Sequence, residues 1–319
     1  MYKYLNPSNY ARYAQILANR YLLEPLEIRF SPKPNLPLRH PPIFFLGPPR
    51  SGSTLAIQAI TEALDVGYLS NRHCDWCGAP ALAERLFQPT NLRPKTDFYS
   101  LYGDTQGAHA PAECGEWWYR FFRRSPQYVS LTEVDPRKMN NFRRSIASLI
   151  NAFDRPVIFK NLYASFRIQA IAQYLPESLF IVMRRNEIDN GHSLLEARYR
   201  VNGSYARWWS MEPPGIDHLR KLPAHQQVIE QIRHVRATIY KDLTFANVDP
   251  TRYLDLSYES FCTDPREAIK TIYNFFLRNN GKVTRRSELP INFPTRQHVR
   301  IDPDIYKAMV RYAQRFDSA

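Results

Sequence analysis

One strand–turn–helix unit constrains the fold of this chain more than any other feature. Residues 43–46, IFFL, form a short apolar run that is typical of a strand buried on both faces. The turn GPPRSGST follows at residues 47–54, and a helical pattern then continues to about residue 64. Glycine is scarce, with 11 in 319 residues, yet two lie in this turn. Such a turn allows backbone N–H groups and a helix N-terminus to surround a phosphate.

The same alternation of strand and helix recurs later in the chain. Further strands are predicted at residues 156–159, 179–183 and 253–257, and further helices at 164–174, 187–199, 224–245 and 265–277. Strands that alternate with helices favour a parallel sheet covered by helices on both faces. The predicted fold class is therefore α/β.

The chain length suits one domain over residues 1–319. Within it, residues 1–40 are predicted to be an N-terminal extension with a helix over 8–21, followed by a proline-rich approach to the first strand. Residues 70–150 are rich in aromatic and charged residues, and their pattern looks irregular. We expect them to form an insertion of loops and helices over the active face, where an acceptor would bind.

The turn after the first strand departs from the loop that binds nucleoside triphosphates. Gly47, Gly52 and Thr54 fit the pattern G-x-x-x-x-G-K-[ST], but Ser53 occupies the position of its lysine. Arg50 instead brings a cation into the loop earlier in the sequence. This arrangement favours a site for a single phosphate and argues against a nucleotide kinase.

The loop resembles that of sulfotransferases that use 3′-phosphoadenosine 5′-phosphosulfate (PAPS). In that family the pattern P-[KR]-S-G-[ST]-T binds the 5′-phosphosulfate, and the matching residues here are Pro49, Arg50, Ser51, Gly52, Ser53 and Thr54. The resemblance implies a P-loop-type parallel sheet and sulfuryl transfer from PAPS to a hydroxyl or amine, with no metal.

Two further segments carry the same resemblance. RRNEIDNGHS, residues 184–193, is similar to the family's 3′-phosphate motif, in which Arg185 and Ser193 would bind the phosphate. A guanidinium at a strand end and a hydroxyl two helical turns later can converge on one phosphate. Tyr258, after the strand at 253–257, matches a tyrosine that lies near the adenine in the family, or is a core aromatic residue.

The resemblance also suggests which groups act on the sulfuryl group. Arg50 is placed to bridge the sulfate and the leaving phosphate. Lys160, after the strand at 156–159, matches the family's strand-end lysine and would share that charge. Arg285, Arg296 and Arg300 lie in a basic C-terminal stretch that would cover the 3′-phosphate.

The general base is the point at which the chain differs from the cytosolic small-molecule branch. Leu162 stands where that branch has its histidine, so the chain looks closer to the bacterial and tyrosylprotein types. Two candidates are equally favoured: His73, and the pair Glu113 and Glu116 within a segment that resembles a bacterial P-x-E-x-x-E stretch. His109 precedes that segment and remains a further alternative. A binding protein that lost catalysis is the rival interpretation.

Charge and cysteine content limit the partners. The formal net charge is +13, which favours anionic ligands without choosing among them. We expect a small-molecule, lipid or carbohydrate acceptor and no nucleic acid. Four cysteines, with one C-x-x-C at Cys74 and Cys77, predict neither a disulfide framework nor a zinc site. Because no signal peptide or apolar run of about 18 residues is present, we expect a cytoplasmic protein.

Overall fold

The computed structural model of the protein describes residues 7–88, 90, 96–100, 103–294 and 298–315. Its centre is one sheet of parallel strands: β1 (Ile43–Leu46), β2 (Gly67–Tyr68), β3 (Val157–Phe159), β4 (Leu179–Arg184) and β5 (Tyr253–Ser257). The spatial order is β2-β3-β1-β4-β5, so β1 lies between β3 and β4. The predicted α/β class with a parallel sheet is confirmed, although the two-residue strand β2 was not predicted.

Helices cover the sheet and connect its strands. The α-helices of the described residues are α1 (Pro7–Ala18), α2 (Glu24–Phe30), α3 (Ser53–Ala63), α4 (Asn71–Asp75), α5 (Pro80–Phe87), α6 (Gly115–Trp118), α7 (Pro136–Phe153), α8 (Ile168–Tyr174), α9 (Glu187–Asn202), α10 (Ile216–Leu219), α11 (Ala224–Phe245), α12 (Tyr258–Thr263), α13 (Pro265–Arg278) and α14 (Pro303–Gln314). A π-helix (Asn19–Leu23) joins α1 to α2; a single helix was predicted over 8–21, and α2 was not predicted. Short 3₁₀ helices lie at Leu131–Glu133, Leu162–Phe166 and Pro250–Arg252.

Side chains of β1 alternate between two apolar cores, because successive residues of a strand point to opposite faces. Phe44 and Leu46 pack on one face with β3, β4, α7, α8 and α11. Ile43 and Phe45 pack on the other face with α3 and α13. All four side chains are fully buried, which explains why this run is apolar throughout instead of alternating with polar residues.

The stretch over residues 70–150 is less irregular than its sequence suggested. Its last part is α7, an 18-residue helix that begins after Asp135, whose side chain accepts a hydrogen bond from the backbone N–H of Arg137. Phe142 and Ile146 from this helix lie in the same core as Phe44. Within residues 70–150, the part that lies near the loop after β1 therefore precedes α7.

Candidate active site

The loop after β1 takes a backbone path that depends on glycine. Gly47 has φ +149°, and a Cβ there would lie 2.8 Å from the carbonyl oxygen of Met183 on β4. The Gly47 N–H donates to the Oγ of Ser165 at 3.0 Å. The chain thus leaves β1 in close contact with its neighbouring strand and turns into α3, in the way that the loop pattern predicted.

Gly52, at the N-cap of α3, makes room for an aromatic ring. Its φ is +94°, and a Cβ there would lie 2.1 Å from Cδ2 of Tyr258. The guanidinium of Arg185 lies over the same tyrosine ring, with its central carbon 4.5 Å from the ring centre. Tyr258 therefore packs between the loop and Arg185, which is a more specific position than a general core residue.

Residues of α9 and the preceding strand end hold the loop from one side. Arg185 donates from Nη1 to the carbonyl oxygen of Arg50 at 3.1 Å. Asn190 donates from Nδ2 to the carbonyl oxygen of Pro49 at 2.7 Å. The Nε of Arg50 donates to the Oγ of Ser193 at 3.1 Å. The two motifs that were recognised separately in the sequence therefore meet in one site.

Buried polar atoms around this loop are not satisfied by the described residues. They include the Oγ of Ser51, the Nε of Arg185 and the Nε of Arg236, all of which can donate, and the Oδ1 of Asn190, which can only accept. Arg236 comes from α11, where it also donates to the carbonyl oxygen of Arg185. Burying unpaired donors costs free energy, and an anion bound at the loop would remove that cost. The first turn of α3 adds backbone N–H groups without intrahelical acceptors.

A second group of side chains lies on the other side of the loop, at the end of β3. The Nζ of Lys160 lies 2.6 Å from the Oε1 of Glu113 and 3.5 Å from the carbonyl oxygen of Gly103. A Cβ placed on Gly103 would lie 3.8 Å from the Oγ1 of Thr54, so the loop comes close to the same point. The Lys160 side chain is buried, whereas 42% of the Glu113 side chain is exposed.

Glu113 faces a cleft of about 430 Å³. Its walls include Asn71 and Cys74 of α4, the turn at Gly103, and Glu116. Asn161, next to Lys160, donates from Nδ2 to the carbonyl oxygen of Glu113 at 3.1 Å and so fixes the backbone that carries the carboxylate. A carboxylate thus stands between an ammonium group and an open cleft, as a proton acceptor would require.

His73, an equally favoured candidate for the base, is fully buried. The Ser70 backbone N–H donates to its Nδ1 at 3.0 Å, and the Nε2 lies 3.2 Å from the Oε2 of Glu84. An Nδ1 that accepts this hydrogen bond leaves the ring proton on Nε2, which lies near the Glu84 carboxylate but does not form a hydrogen bond with it. His73 is thus held at Nδ1 within the capping box of α4, while its Nε2 is buried next to Glu84 without a hydrogen-bond partner among the described residues.

The remaining candidates for the base lie in other surroundings. Both carboxylate oxygens of Glu116 accept hydrogen bonds from Nη2 of Arg124. His109 borders a different, smaller cavity of about 190 Å³. Tyr163, close to the position of the absent histidine at Leu162, is held as a neutral phenol because burial raises its pKa to about 12.

The basic C-terminal residues are spread over the surface. Arg300 donates to Glu196 of α9 at 3.1 Å, and its backbone N–H donates to the Nε2 of His192, next to Ser193. Arg285 lies over the ring of Tyr273, with its backbone bridged to Leu64. Arg296 lies outside the described residues.

Sequence reasoning did not single out Asn190, Arg236 or Gly103. Asn190 lies within the recognised segment at 184–193, so its position was available as a signal. Arg236 is one of several basic residues on α11, and no pattern sets it apart.

No group of three or more His, Cys, Asp or Glu side chains suited to a metal occurs in the part of the chain that the structure describes.

The comparisons with known proteins agree on one family. The family model described as "Sulfotransferase family" matches residues 41–277 of this chain. Omega-hydroxy-beta-dihydromenaquinone-9 sulfotransferase Stf3 from Mycobacterium bovis, and the protein of the same name from Mycobacterium tuberculosis, are each 25% identical over 262 residues. That match covers 73% of this chain but only 62% of those relatives, which is less than two thirds of their length.

Solved structures show the same fold at low identity. Sulfotransferase STF1 from Mycobacterium tuberculosis superposes with a TM-score of 0.51 at 14% identity, covering 96% of this chain and 80% of that one. Sulfotransferase STF9 from Mycobacterium avium gives 0.50 at 15%, covering 95% and 73%. The family match extends over most of the chain and includes the loop after β1, the end of β3 and the start of α9. This chain therefore belongs to the sulfotransferase family.

Proposed function

We propose that this protein transfers a sulfuryl group from PAPS to the hydroxyl group of an apolar small molecule or lipid. The S–O bond to the donor's 5′-phosphate breaks, an S–O bond to the acceptor oxygen forms, and the acceptor proton passes to Glu113. Adenosine 3′,5′-bisphosphate leaves. The observation that carries the proposal is the Lys160–Glu113 contact of 2.6 Å between the phosphate loop and an open cleft.

The donor would be held by the groups around the loop. Ser51 and the N-terminus of α3 suit the 5′-phosphosulfate, while Arg185 and Ser193 suit the 3′-phosphate, as the family resemblance implies. The unpaired Oγ of Ser51 and Nε of Arg185 support this assignment, because both are buried donors that an anionic ligand would satisfy. Arg50, which contacts Ser193, would join the two phosphate sites.

Lys160 and Glu113 would carry the chemistry. Lys160 is buried at the strand end and offers a positive charge to the oxygens that gain charge as the sulfuryl group moves. Glu113 exposes its carboxylate to the cleft and would remove the acceptor proton. We propose His73 as a structural residue, since both of its nitrogens already contact Ser70 and Glu84.

The acceptor class rests on a relative, because the cleft itself is lined largely by polar residues. The cleft of about 430 Å³ suits part of a small molecule, with Glu113 at its wall. The Stf3 relatives are named for an omega-hydroxylated dihydromenaquinone, an apolar molecule with a hydroxyl group. We extend that class, and not the particular compound, to this chain. We further propose that the protein works in the cytoplasm without a metal.

The test combines ligand binding with turnover. Calorimetry should show adenosine 3′,5′-bisphosphate binding at least tenfold more tightly than AMP, because only the former engages Arg185 and Ser193. Incubation with PAPS and a panel of apolar alcohols should release the bisphosphate and a sulfate ester. Equal affinity for AMP would contradict the donor site. Tight bisphosphate binding without turnover of any hydroxylated, amine or sugar acceptor would favour a binding protein instead.

A further inference from the structure

The N-terminal helices expose an unusual amount of apolar surface. We define the N-terminal apolar surface by six side chains: Tyr13, Leu17, Tyr21, Leu22, Leu26 and Phe30. Phe30 is 76% exposed, Leu22 69% and Tyr21 64%. Tyr13, Leu17 and Tyr21 follow one another at four-residue spacing, as do Leu22, Leu26 and Phe30, so each set of three lies along one side of the helical segment. Large contiguous apolar patches on a folded protein mark interaction sites.

The same helices are polar on their inner side, which reverses the usual arrangement. Asn19 is buried, accepts from the Gly78 N–H at 2.7 Å and donates to the carbonyl oxygen of Asp75 at 2.9 Å. Glu27 is also buried and pairs with Arg120 at 3.1 Å. The extension is therefore held to the domain by hydrogen bonds and an ion pair. Its apolar side chains are left for a partner outside the molecule.

The charges on this outer side are mainly positive. Arg20, Arg29 and Lys33 are exposed beside the N-terminal apolar surface. The only acidic residues between positions 7 and 36 are Glu24 and Glu27, and both contact Arg120 on the inner side. Glu24 lines the same groove as Arg20, Tyr21 and Arg29 but pairs with Arg120 at 3.4 Å, so the net charge beside the N-terminal apolar surface is positive.

The surface adjoins the wall of the proposed acceptor cleft. Gln15 and Asn19 both donate to the carbonyl oxygen of Asp75, the last residue of α4. Asn71 and Cys74 of that helix line the cleft. A partner seated on the N-terminal helices would therefore lie beside the entrance through which an acceptor reaches Glu113.

We propose that the N-terminal apolar surface docks onto the face of an anionic lipid bilayer. Helices that lie in a membrane interface combine an apolar side with Lys and Arg, and tyrosine is enriched at that depth. A second copy of the chain fits less well, because a symmetric contact would bring Arg20 and Arg29 of both copies together. Among the described residues no helix is long and apolar enough to cross a membrane.

This inference goes beyond the proposed sulfuryl transfer and can be tested without it. Co-sedimentation of the whole chain should show binding to vesicles of equal parts phosphatidylglycerol and phosphatidylcholine. Binding to phosphatidylcholine alone should be about tenfold weaker or more, and added salt should reduce the anionic binding. No donor or acceptor is present, so a failure here would leave the proposed enzymatic activity untouched.

Matched variants distinguish vesicle binding by this surface from nonspecific binding by exposed apolar side chains elsewhere. The triple variant Leu22→Ser, Leu26→Ser and Phe30→Ser should weaken anionic-vesicle binding by about tenfold or more. The control Phe245→Ser, Leu277→Ser and Ile291→Ser removes comparably exposed apolar side chains elsewhere and should change it by less than about twofold. Arg20→Gln with Arg29→Gln should also weaken binding, whereas Arg207→Gln with Lys221→Gln, both exposed, should not.

Two results would overturn the proposal: no binding of the wild type to anionic vesicles, or an equal loss of binding in the apolar variant and its control. If vesicle binding is absent and sedimentation velocity shows a dimer that the triple variant abolishes, the surface instead joins two copies of the chain. Circular dichroism and thermal denaturation of each variant establish that it is folded, which is expected because the changed side chains are exposed.

Discussion

The Nε of Arg50 donates a hydrogen bond to the Oγ of Ser193 over 3.1 Å, across 143 residues of sequence. The contact joins the loop after β1 to the second turn of α9. It places the Arg50 side chain on the side of Arg185, whereas Lys160 and Thr54 approach Gly103 on the other side. In the proposed function, Arg50 would therefore bind the donor's phosphates as well as act at the reacting centre.

This position predicts the behaviour of Arg50 variants. Arg50→Ala should weaken binding of adenosine 3′,5′-bisphosphate by about 10- to 100-fold, as expected for a lost charge-assisted hydrogen bond. Calorimetry with this ligand, which has no sulfuryl group, isolates that effect. In a double-mutant cycle with Ser193→Ala the two losses should not add, because the residues share one hydrogen bond. If the affinity for the bisphosphate is unchanged and kcat falls, Arg50 acts only at the reacting centre.

Glu113→Gln should lower kcat by about 10²- to 10⁴-fold while the affinity for the bisphosphate stays near that of the wild type, as loss of a general base requires. The amide keeps the size of the side chain and a contact for Lys160. Glu116→Gln is the control, since its carboxylate contacts Arg124, and it should retain activity within a few-fold. Steady-state kinetics with PAPS measure both. Full activity of Glu113→Gln would exclude it as the base.

His73→Ala should lower the free energy of unfolding by about 2–4 kcal/mol. The substitution leaves a cavity and removes the partner of the buried Ser70 N–H and of Glu84. Below its melting temperature the variant should keep kcat within a few-fold of the wild type. Thermal denaturation and kinetics on the same sample decide the matter: a large loss of kcat with an unchanged melting temperature would make His73 a catalytic residue.

Gly52→Ala should reduce donor affinity by about tenfold or more, because the new methyl group would displace Tyr258 and with it Arg185. The control is Gly203→Ala. Gly203 also has a positive φ, +68°, but a Cβ there meets nothing within 4 Å, so the substitution carries a similar backbone strain without the clash. Bisphosphate binding measured by calorimetry should distinguish them. Similar affinity in both variants would mean that Tyr258 does not position Arg185.

Asp242→Asn should make the protein more stable than the wild type as pH rises above the ordinary carboxyl pKa. Burial raises the pKa of Asp242, although Gln169 and Tyr128 donate hydrogen bonds to its Oδ1. The folded state therefore binds this proton more tightly than the unfolded chain does. Ionisation of the group lowers the free energy of unfolding as pH rises from the ordinary carboxyl pKa through the raised one. Asparagine keeps the acceptor oxygen and does not ionise.

Denaturant unfolding from about pH 4 to pH 8 measures this difference. The variant should exceed the wild type at the upper end, and the gap should shrink as pH falls. Asp249→Asn is a control of opposite sign, because the Thr251 backbone N–H lowers the pKa of Asp249. That variant should lose stability above the ordinary carboxyl pKa. A constant gap for Asp242→Asn would show that its ionisation is not linked to folding.

Much of the sheet was predictable, because its strands are buried on both faces and read as uninterrupted apolar runs. The bounds of β1 and β5 agree with the structure, and β4 is one residue longer. The two-residue strand β2 gives no such run, since Gly67 and Tyr68 are too few to establish a period. Helix α7 was missed although Met139, Phe142, Ile146 and Phe153 repeat at helical spacing, since nearby Arg and Asn residues made the segment look irregular.

The site was predictable where it is local in sequence. The loop after β1 and the segment at the start of α9 each lie within ten residues of one strand. The contact between Lys160 and Glu113 joins residues 47 positions apart, and only the folded chain between β2 and β3 brings them together. His73 illustrates the converse limit: its sequence neighbourhood suggested a reactive group, but burial and the contact with Glu84 are set by tertiary packing.

The strand order shows that the site is built from two separate parts of the chain. The residues proposed to bind the donor follow β1, β4 and β5 in the middle and on one side of the sheet, whereas Glu113 and the cleft come from the chain that leaves the edge strand β2. Segments inserted at a sheet edge can change length and composition while the central ladders stay paired. Under the proposed function, exchanging the segment between β2 and α7 for that of a relative should change the acceptor while the proposed donor residues stay in place.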